Sequence, residues 1–330
     1  MNYEFTGYQI NKKDDDQVCD IKQLTQDDLM EGDVTVRVEY STLNYKDGLA
    51  LTGRSPVVRK FPLTPGIDFS GTVLESEADD FVAGDKVILN GFGVGEVHSG
   101  GYAQIARVKS EWLIPLPKGL TTRQAMAIGT AGYTAMLCVL ALQKHGLKPG
   151  MGEVLVTGAT GGVGSVAVAL LSRAGFDVVA VTGKASAEAF LTKLGASRVM
   201  ERAAFSEKAR ALSKELWSGA IDVAGGNTLA NVISQIKYGG AVAACGLAES
   251  MNLPTSVAPF ILRGVTLFGI DSVMVDTARR ITAWQALADN LDLELLESLA
   301  FDLDFEALPQ AAEDILDGKI RGRAIIRIPD

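Results

Sequence analysis

The sequence predicts an α/β protein of two domains, one rich in β-strands and one built on a doubly wound parallel sheet. The chain has 330 residues, more than a single hydrophobic core usually holds. Residues 1–120 contain short β-like runs that are separated by glycine and proline. From residue 153 onward strand-like and helix-like runs alternate, which is the pattern of βαβ units in a parallel sheet.

The first half is predicted to be a compact β-barrel or folded sheet. Apolar residues alternate at Val34, Val36, Val38 and Tyr40, as they do in a half-buried strand. Residues 67–74 are typical of another strand, and a glycine turn precedes the apolar run 87–89. We find no sustained helical period before residue 121, so we expect loops rather than helices between these strands.

The domain boundaries follow from changes in composition. Near Gln124 the sequence becomes rich in small and helix-forming residues, and we place the start of the second domain there. The last strand-like run, residues 323–328, is predicted to return to the first domain. The predicted domains are therefore residues 1–124 with 272–330, and residues 125–271.

A glycine cluster in the second domain predicts a dinucleotide site. Gly158, Gly161 and Gly164 follow a short apolar strand and precede a helical run at 165–174, in the spacing G-x-x-G-x-x-G. Glycines at these positions let the backbone turn sharply, approach a pyrophosphate and pack the helix on the strand. The amides at the start of the helix would then face the phosphates. A purely structural glycine-rich turn is the alternative.

The end of the next strand indicates which dinucleotide binds. Residues 178–181 are followed by Thr182, Gly183 and Lys184, and not by an acidic residue that would bind both ribose hydroxyls of NAD. A hydroxyl group, a glycine and a cation suit a 2′-phosphate better. We therefore expect NADPH, with Lys184 and Arg202 as phosphate partners, although solvated surface cations would give the same pattern.

Composition narrows the class of protein further. The net charge of −9 with dispersed acidic residues argues against a nucleic acid or an anionic membrane as a general partner. We find no apolar leader at the N-terminus and no stretch that satisfies the requirements of a membrane span, so we expect a cytoplasmic protein. The cysteines Cys19, Cys138 and Cys245 are far apart, and the histidines are His98 and His145. We therefore expect neither a disulfide framework nor a bound metal.

Several separate segments together resemble one family. These segments are residues 44–47, 65–71, 93–96, 129–137 and 243–247. They are similar to the acrylyl-CoA reductase branch of the medium-chain dehydrogenase/reductase superfamily, which is often called quinone oxidoreductase-like. The resemblance extends over nearly the whole chain. It implies a GroES-like β-rich catalytic domain, a Rossmann domain and a homodimer in which residues 265–270 extend the sheet.

The resemblance also implies an activity. This is the NADPH-dependent reduction of the C=C bond of acrylyl-CoA to propanoyl-CoA, with hydride transfer to the β-carbon. Zinc enzymes of the superfamily carry a His-Glu pair where this chain has Ile67-Asp68, so Asp68 is expected to anchor local backbone. Reduction of quinones or small enones, and NADPH binding without catalysis, are the alternatives.

Candidate catalytic residues come from the segment at 44–47. Negative charge develops on the thioester oxygen during the reaction, and a hydrogen-bond donor there would stabilise it. Tyr45 is the candidate donor, with Asn44 and Asp47 holding its loop. A packing role, or a contact to the cofactor alone, is the alternative for Tyr45. Arg54, Arg59 and Lys60 are candidate contacts for the CoA phosphates, or else an ordinary surface cluster.

The candidate cofactor contacts combine the glycine turn, the 2′-phosphate residues and positions implied by the resemblance. They are Tyr45, Gly158, Thr160, Gly161, Gly162, Val163, Gly164, Thr182, Gly183, Lys184, Arg202, Leu247, Ile261, Ser272 and Arg323.

Overall fold

The computed structural model describes residues 3–14 and 16–330, and the chain forms two compact units. The first unit contains Met1–Thr130, Ser272–Ala288 and Leu293–Asp330. The second unit contains Ala131–Asp271 and Asp289–Asp292.

The structure contains strands and α-helices in both units. The strands are β1 (Glu4–Lys13), β2 (Asp16–Thr25), β3 (Val34–Leu43), β4 (Asp68–Ser76), β5 (Lys86–Asn90), β6 (Ile105–Val108), β7 (Leu113–Pro115), β8 (Val154–Val156), β9 (Val178–Thr182), β10 (Ala196–Glu201), β11 (Trp217–Asp222), β12 (Ile236–Ala244), β13 (Thr266–Gly269), β14 (Ala300–Leu303) and β15 (Arg323–Arg327). The α-helices are α1 (Tyr45–Thr52), α2 (Thr122–His145), α3 (Gly162–Arg173), α4 (Glu188–Lys193), α5 (Gly226–Ser234), α6 (Ala258–Arg263), α7 (Thr277–Asn290), α8 (Leu293–Leu299) and α9 (Leu308–Leu316).

The first unit is built on a mainly antiparallel sheet in the order β14-β15-β3-β4-β5-β7, with β6 also paired to β3. The alternating residues Val34, Val36 and Val38 are buried in its core, as their period predicts. The C-terminal strand β15 pairs with β3, so the tail returns to this unit. A separate antiparallel pair, β1 and β2, completes the strands of the unit.

The second unit is built on a parallel sheet in the order β10-β9-β8-β11-β12-β13. All of its strand pairs are parallel, which confirms the predicted doubly wound sheet. The apolar run of β8 is fully buried because this strand lies in the interior of the sheet. The strand order reverses between β8 and β11, and ligands of such sheets bind outside the carboxyl ends of the strands at this point.

Helix α1 corrects the expectation that the segment at 44–47 is a loop. Asn44 precedes the helix as its N-cap, and its backbone N–H donates to Asp47 Oδ2 at 2.9 Å in a capping box. Gly53 ends the helix in the left-handed region, with φ of 67°. Since α1 has only eight residues, its hydrophobic period is too short to recognise in the sequence.

Helix α2 corrects the expectation that no stretch resembles a membrane span. By length and composition its 24 residues are apolar enough to cross a membrane, but 83% of the most apolar window is buried inside the protein. The backbone at Gly129 is not helical, with φ of 52° and ψ of −165°. We therefore interpret α2 as a kinked core helix, whose burial could not be inferred from its composition.

Candidate functional site

The predicted glycine turn adopts a conformation that excludes side chains at two positions. Gly158 lies two residues after the end of β8, and its φ is 57°, in the left-handed region. A Cβ added to Gly164 would overlap the carbonyl oxygen of Gly158 and lie 2.7 Å from the Cα of Ala159. Helix α3 therefore begins directly against the end of β8. Its first-turn amides have no acceptor within the helix, and the positive end of its dipole lies there.

A cleft of about 760 Å³ lies at the carboxyl ends of β8, β9, β10 and β11 in the second unit. Its lining residues are Thr157, Gly158, Val181, Thr182, Gly183, Glu201, Arg202, Ala203, Ser206, Val223, Ala224, Thr228, Ala248 and Glu249. The structure thus brings four candidate cofactor contacts, Gly158, Thr182, Gly183 and Arg202, to one surface.

One side of this cleft carries hydroxyl groups and a cation. A Cβ on Gly183 would lie 3.2 Å from the guanidinium carbon of Arg202, so the two residues are in close contact. The Oγ1 of Thr182 accepts a hydrogen bond from the backbone N–H of Lys184 at 3.1 Å and lies 3.4 Å from Thr160 Oγ1. The guanidinium suits a phosphate group, because arginine binds phosphate oxygens well.

Asp222 supports the floor of the cleft and was not among the candidates from the sequence. Its Oδ1 accepts a hydrogen bond from Thr157 Oγ1 at 2.7 Å, and its Oδ2 accepts from the backbone N–H groups of Gly225 at 2.7 Å and Ala224 at 3.2 Å. Burial raises the pKa of Asp222 to about 6. The sequence signal that could have identified it is an acidic residue at the end of a buried strand.

The segment at 44–47 is held by two buried carboxylates in the first unit. Asp47 accepts hydrogen bonds from the side-chain amide of Asn44 at 3.0 Å and from the backbone N–H of Ile67 at 2.9 Å. Asp68 accepts from the same amide at 3.1 Å and from the backbone N–H of Thr130 at 2.8 Å. Asp68 therefore anchors backbone, as expected, but the backbone at Thr130 is 62 positions away and not local. Removal from water raises the pKa of both carboxyl groups, that of Asp47 to about 7.

Tyr45 and Arg323 differ sharply in exposure. Tyr45 begins α1 with 49% of its surface exposed, directly after the anchored Asn44. Arg323 is 2% exposed, and its guanidinium donates to Ala127 O at 3.0 Å and Thr42 Oγ1 at 2.7 Å. Tyr45 is thus presented at the surface of its unit, whereas Arg323 supports the interior.

Two of the three candidate CoA contacts form ion pairs within the protein. Arg54 forms ion pairs with Glu313 and Asp317, and Arg59 forms one with Glu96. Ion pairs at an exposed surface contribute little free energy, so a phosphate could compete for these arginines. Lys60 is exposed.

Three further candidates differ in exposure within their own units. Leu247 and Ile261 are exposed on the second unit, while Ser272 is half-buried in the first.

The sequence predicts no metal site. The side chains of both histidines lie near backbone carbonyl oxygens. Within residues 3–14 and 16–330 no three His, Cys, Asp or Glu residues are grouped so that they could hold a metal ion. His98 has a backbone carbonyl near each ring nitrogen, Ser99 O at 3.1 Å and Glu31 O at 2.9 Å. His145 Nε2 lies 3.0 Å from Gly239 O.

Comparison with known proteins decides the family. Residues 30–118 match the alcohol dehydrogenase GroES-like domain, and residues 162–290 match the zinc-binding dehydrogenase domain. Acrylyl-CoA reductase AcuI from Ruegeria pomeroyi is 52% identical over 309 residues, which is 93% of this chain and 94% of AcuI. The chain belongs to the acrylyl-CoA reductase family of medium-chain dehydrogenases/reductases. The predicted family and fold class, a GroES-like domain with a Rossmann domain, are confirmed.

Solved structures of similar proteins contain nicotinamide dinucleotides. YhdH from Escherichia coli K-12, with bound NADPH, has a TM-score of 0.96 and 50% identity, covering 98% of this chain and all of YhdH. YhfP from Bacillus subtilis, with NAD bound, has a TM-score of 0.95 and 43% identity, covering 99% of this chain and all of YhfP. Structures of this fold therefore exist with either dinucleotide.

Asp222 generates a prediction about the pH dependence of stability. Its pKa is higher in the folded protein, about 6, than in an unfolded chain, about 3.9, so folding favours the protonated carboxyl group. The stability that it contributes is fully present below about pH 4 and is lost as the pH rises through 6.

The variant Asp222→Asn lacks this titration and serves as the reference. The unfolding free energy of the wild type minus that of Asp222→Asn should decrease by on the order of 2 kcal/mol between pH 4 and pH 7. Denaturant unfolding at several pH values measures it. A difference that is constant or increases with pH would contradict the assignment.

Proposed function

We propose that this protein reduces the C=C bond of acrylyl-CoA to give propanoyl-CoA and uses NADPH as the reductant. The observation that carries this proposal is the 52% identity to an acrylyl-CoA reductase over 93% of the chain. The chemistry of the cleft in the second unit agrees with the cofactor, because phosphate-binding and hydroxyl groups converge there.

The residues of the cleft fit NADPH, which supplies a hydride when it is bound. The close contact of Gly164 with Gly158 brings the first turn of α3 to the end of β8, and the amides of this turn are proposed to bind the pyrophosphate. Thr182, Gly183, Lys184 and Arg202 are proposed to hold the 2′-phosphate. The further proposed cofactor contacts are Tyr45, Thr160, Gly161, Gly162, Val163, Leu247, Ile261 and Ser272. Arg323 is not proposed as a direct contact, because its side chain is buried and its guanidinium donates to Ala127 O and Thr42 Oγ1.

Tyr45 is the proposed hydrogen-bond donor to the substrate. Negative charge develops on the thioester oxygen when the β-carbon of the acrylyl group accepts a hydride, and a fixed donor lowers the barrier by stabilising that charge. The phenol of Tyr45 is exposed, and it follows a residue held by two buried carboxylates. Asn44 and Asp47 are therefore proposed as positioning residues that fix the start of α1.

Arg54, Arg59 and Lys60 are proposed to contact the phosphates of CoA. The chain carries a net charge of −9, so an anionic substrate needs a local group of cations. These three residues lie within seven positions of one another, and the two arginines are paired only with partly exposed or surface carboxylates.

Catalytic efficiencies on different acceptors test the function directly. We expect the highest kcat/KM for acrylyl-CoA with NADPH, a lower value for crotonyl-CoA, and lower values again for a benzoquinone or for NADH. A strong preference for the quinone would instead establish a quinone reductase. Binding of NADPH without oxidation by any acceptor would establish a binding protein that is not an enzyme.

Tyr45→Phe tests the proposed donor. Removing one such hydrogen bond should lower kcat on acrylyl-CoA by about 100-fold, since it stabilises charge that is present only in the transition state. The dissociation constant for NADPH, measured by fluorescence titration, should be nearly unchanged, because phenylalanine keeps the aromatic ring with which Tyr45 is proposed to contact the cofactor.

Tyr238→Phe is a matched control because it removes an exposed phenol hydroxyl on the second unit. This control should retain wild-type turnover. If Tyr45→Phe retains it as well, Tyr45 has no part in the chemistry.

The same family resemblance is the basis for a proposal about the assembly, the metal content and the cellular location of the protein. We propose a zinc-free cytoplasmic homodimer. Strand β13 is an edge of the parallel sheet, and the apolar side chains of Val257, Ile261 and Leu262 are exposed shortly before it. A native mass of one chain would contradict the dimer, and stoichiometric zinc in the purified enzyme would contradict the metal-free assignment.

A further inference from the structure

Glu96 ends the segment 93–96, which has no role in the proposed reaction so far. Gly93 and Gly95 of this segment have φ of 76° and 77°, in the left-handed region that favours glycine. A Cβ on Gly95 would lie 3.0 Å from the carbonyl carbon of Gly66, so the turn packs closely on another part of the first unit. The backbone N–H of Glu96 donates to Gly93 O at 3.0 Å. The two glycines therefore form a fixed turn that places Glu96.

The carboxylate of Glu96 lies between two cations. Its Oε1 is 2.9 Å from Lys46 Nζ, and its Oε2 is 3.0 Å from a terminal guanidinium nitrogen of Arg59. Each oxygen is paired with a different cation, so the carboxylate cannot rotate without losing a partner. The side chain of Glu96 is 14% exposed, whereas those of Lys46 and Arg59 are 36% and 61% exposed. The acid is thus the inner member of the group, and the cations are the outer members.

Lys46 lies in the first turn of α1, directly after Tyr45. A cation is unfavourable there, because the positive end of the helix dipole lies at the same place. The ion pair with Glu96 offsets this repulsion. It also connects the start of α1 to the turn at 93–96, so the carboxylate is held from the side of the helix.

Arg59 is held at its backbone as well as at its side chain. Its backbone N–H donates to Glu96 O at 2.9 Å, and the preceding Val58 is buried in a cluster that includes Ala50 of α1. A guanidinium has five N–H donors, and the exposed Arg59 has donors beyond the nitrogen that Glu96 binds. Arg54, in contrast, is paired with two carboxylates. Arg59 is therefore an arginine of fixed orientation that can bind a further anion.

We propose that Glu96 is a positioning residue of the substrate site and orients Arg59 to bind a phosphate of CoA. Lys46 assists by holding the other oxygen of the same carboxylate. An arginine that is already oriented loses less conformational freedom when it binds a phosphate, so the anion is bound more tightly. This inference rests on the proposed contact between Arg59 and CoA, and it adds the residues that orient the arginine.

Two thioesters test the proposal. Acrylyl-CoA carries the CoA phosphates, whereas acrylyl-N-acetylcysteamine has the same acrylyl thioester without any phosphate. Glu96→Gln should raise the KM for acrylyl-CoA about fivefold, with kcat and the KM for acrylyl-N-acetylcysteamine unchanged. Loss of a negative charge would by itself favour an anionic substrate, so a higher KM reports lost orientation. An unchanged or lower KM for acrylyl-CoA, or an equal increase for both thioesters, would overturn the proposal.

A double-mutant cycle tests whether Glu96 acts through Arg59. Arg59→Ala removes the phosphate contact and should raise the KM for acrylyl-CoA about tenfold. Adding Glu96→Gln to this variant should have no further effect, and fully additive effects would contradict the proposal. Glu153→Gln is the matched control, because it removes a carboxylate that is paired with Arg198 on the second unit. It should leave both KM values unchanged.

The wild type separates this inference from the proposed function. If it reduces neither thioester, the proposed function and this inference are both wrong. If its KM is equal for the two thioesters, the CoA phosphate contacts and this inference are wrong, while the reduction of the acrylyl group stands. If it prefers acrylyl-CoA and Glu96→Gln keeps the wild-type KM, only this inference is wrong.

Calorimetry with free CoA provides a measurement that is independent of activity. Free CoA contains the phosphates but no acrylyl group, so its affinity reports the phosphate contacts without the reaction. Glu96→Gln should bind it about fivefold more weakly than the wild type does. Equal affinity in the two proteins, or no binding of CoA to the wild type, would contradict the proposal.

Discussion

The close approach of α3 to the end of β8 is the contact on which the functional surface of the second unit depends. Gly164 lies against the carbonyl oxygen of Gly158, and even a methyl side chain would force the helix away from the strand. This contact places the positive end of α3 at the edge of the sheet where the strand order reverses. The end of β9 and the residue after β10 then provide the hydroxyl group of Thr182 and the cation of Arg202 around the same cleft.

In both units buried carboxylates accept hydrogen bonds from backbone N–H groups and order the segments that contain candidate site residues. Asp222 orders the residues after β11, and Asp47 and Asp68 order the start of α1 and the backbone at Thr130. Burial makes the charged form unfavourable, which is why the pKa values of all three are raised. The hydrogen bonds offset part of that cost and fix the backbone after β11, at the start of α1 and beside the kink of α2.

Features with a local cause could be predicted from the sequence, and features that depend on distant residues could not. The glycine turn, the parallel sheet and the anchoring role of Asp68 came from short patterns or from family resemblance. The hydrogen bond from the backbone N–H of Thr228 to Glu249 joins residues 21 positions apart, and it forms only because α5 meets the loop after β12. The ion pair between Arg54 and Glu313 joins residues 259 positions apart, so the sequence could show only a group of cations.

The most direct test of this account is the binding of NADPH and NADH to the wild type, Gly164→Ala and Gly161→Ala, measured by calorimetry. The account predicts that the wild type binds NADPH at least about tenfold more tightly than NADH, because a charged hydrogen bond to the 2′-phosphate is lost in NADH. Gly164→Ala should weaken both by at least about tenfold. Gly161→Ala should weaken them less, since its Cβ would lie 3.3 Å from Gly158 O rather than overlap it. Wild-type affinity in Gly164→Ala, or equal affinity of the wild type for the two dinucleotides, would contradict the account.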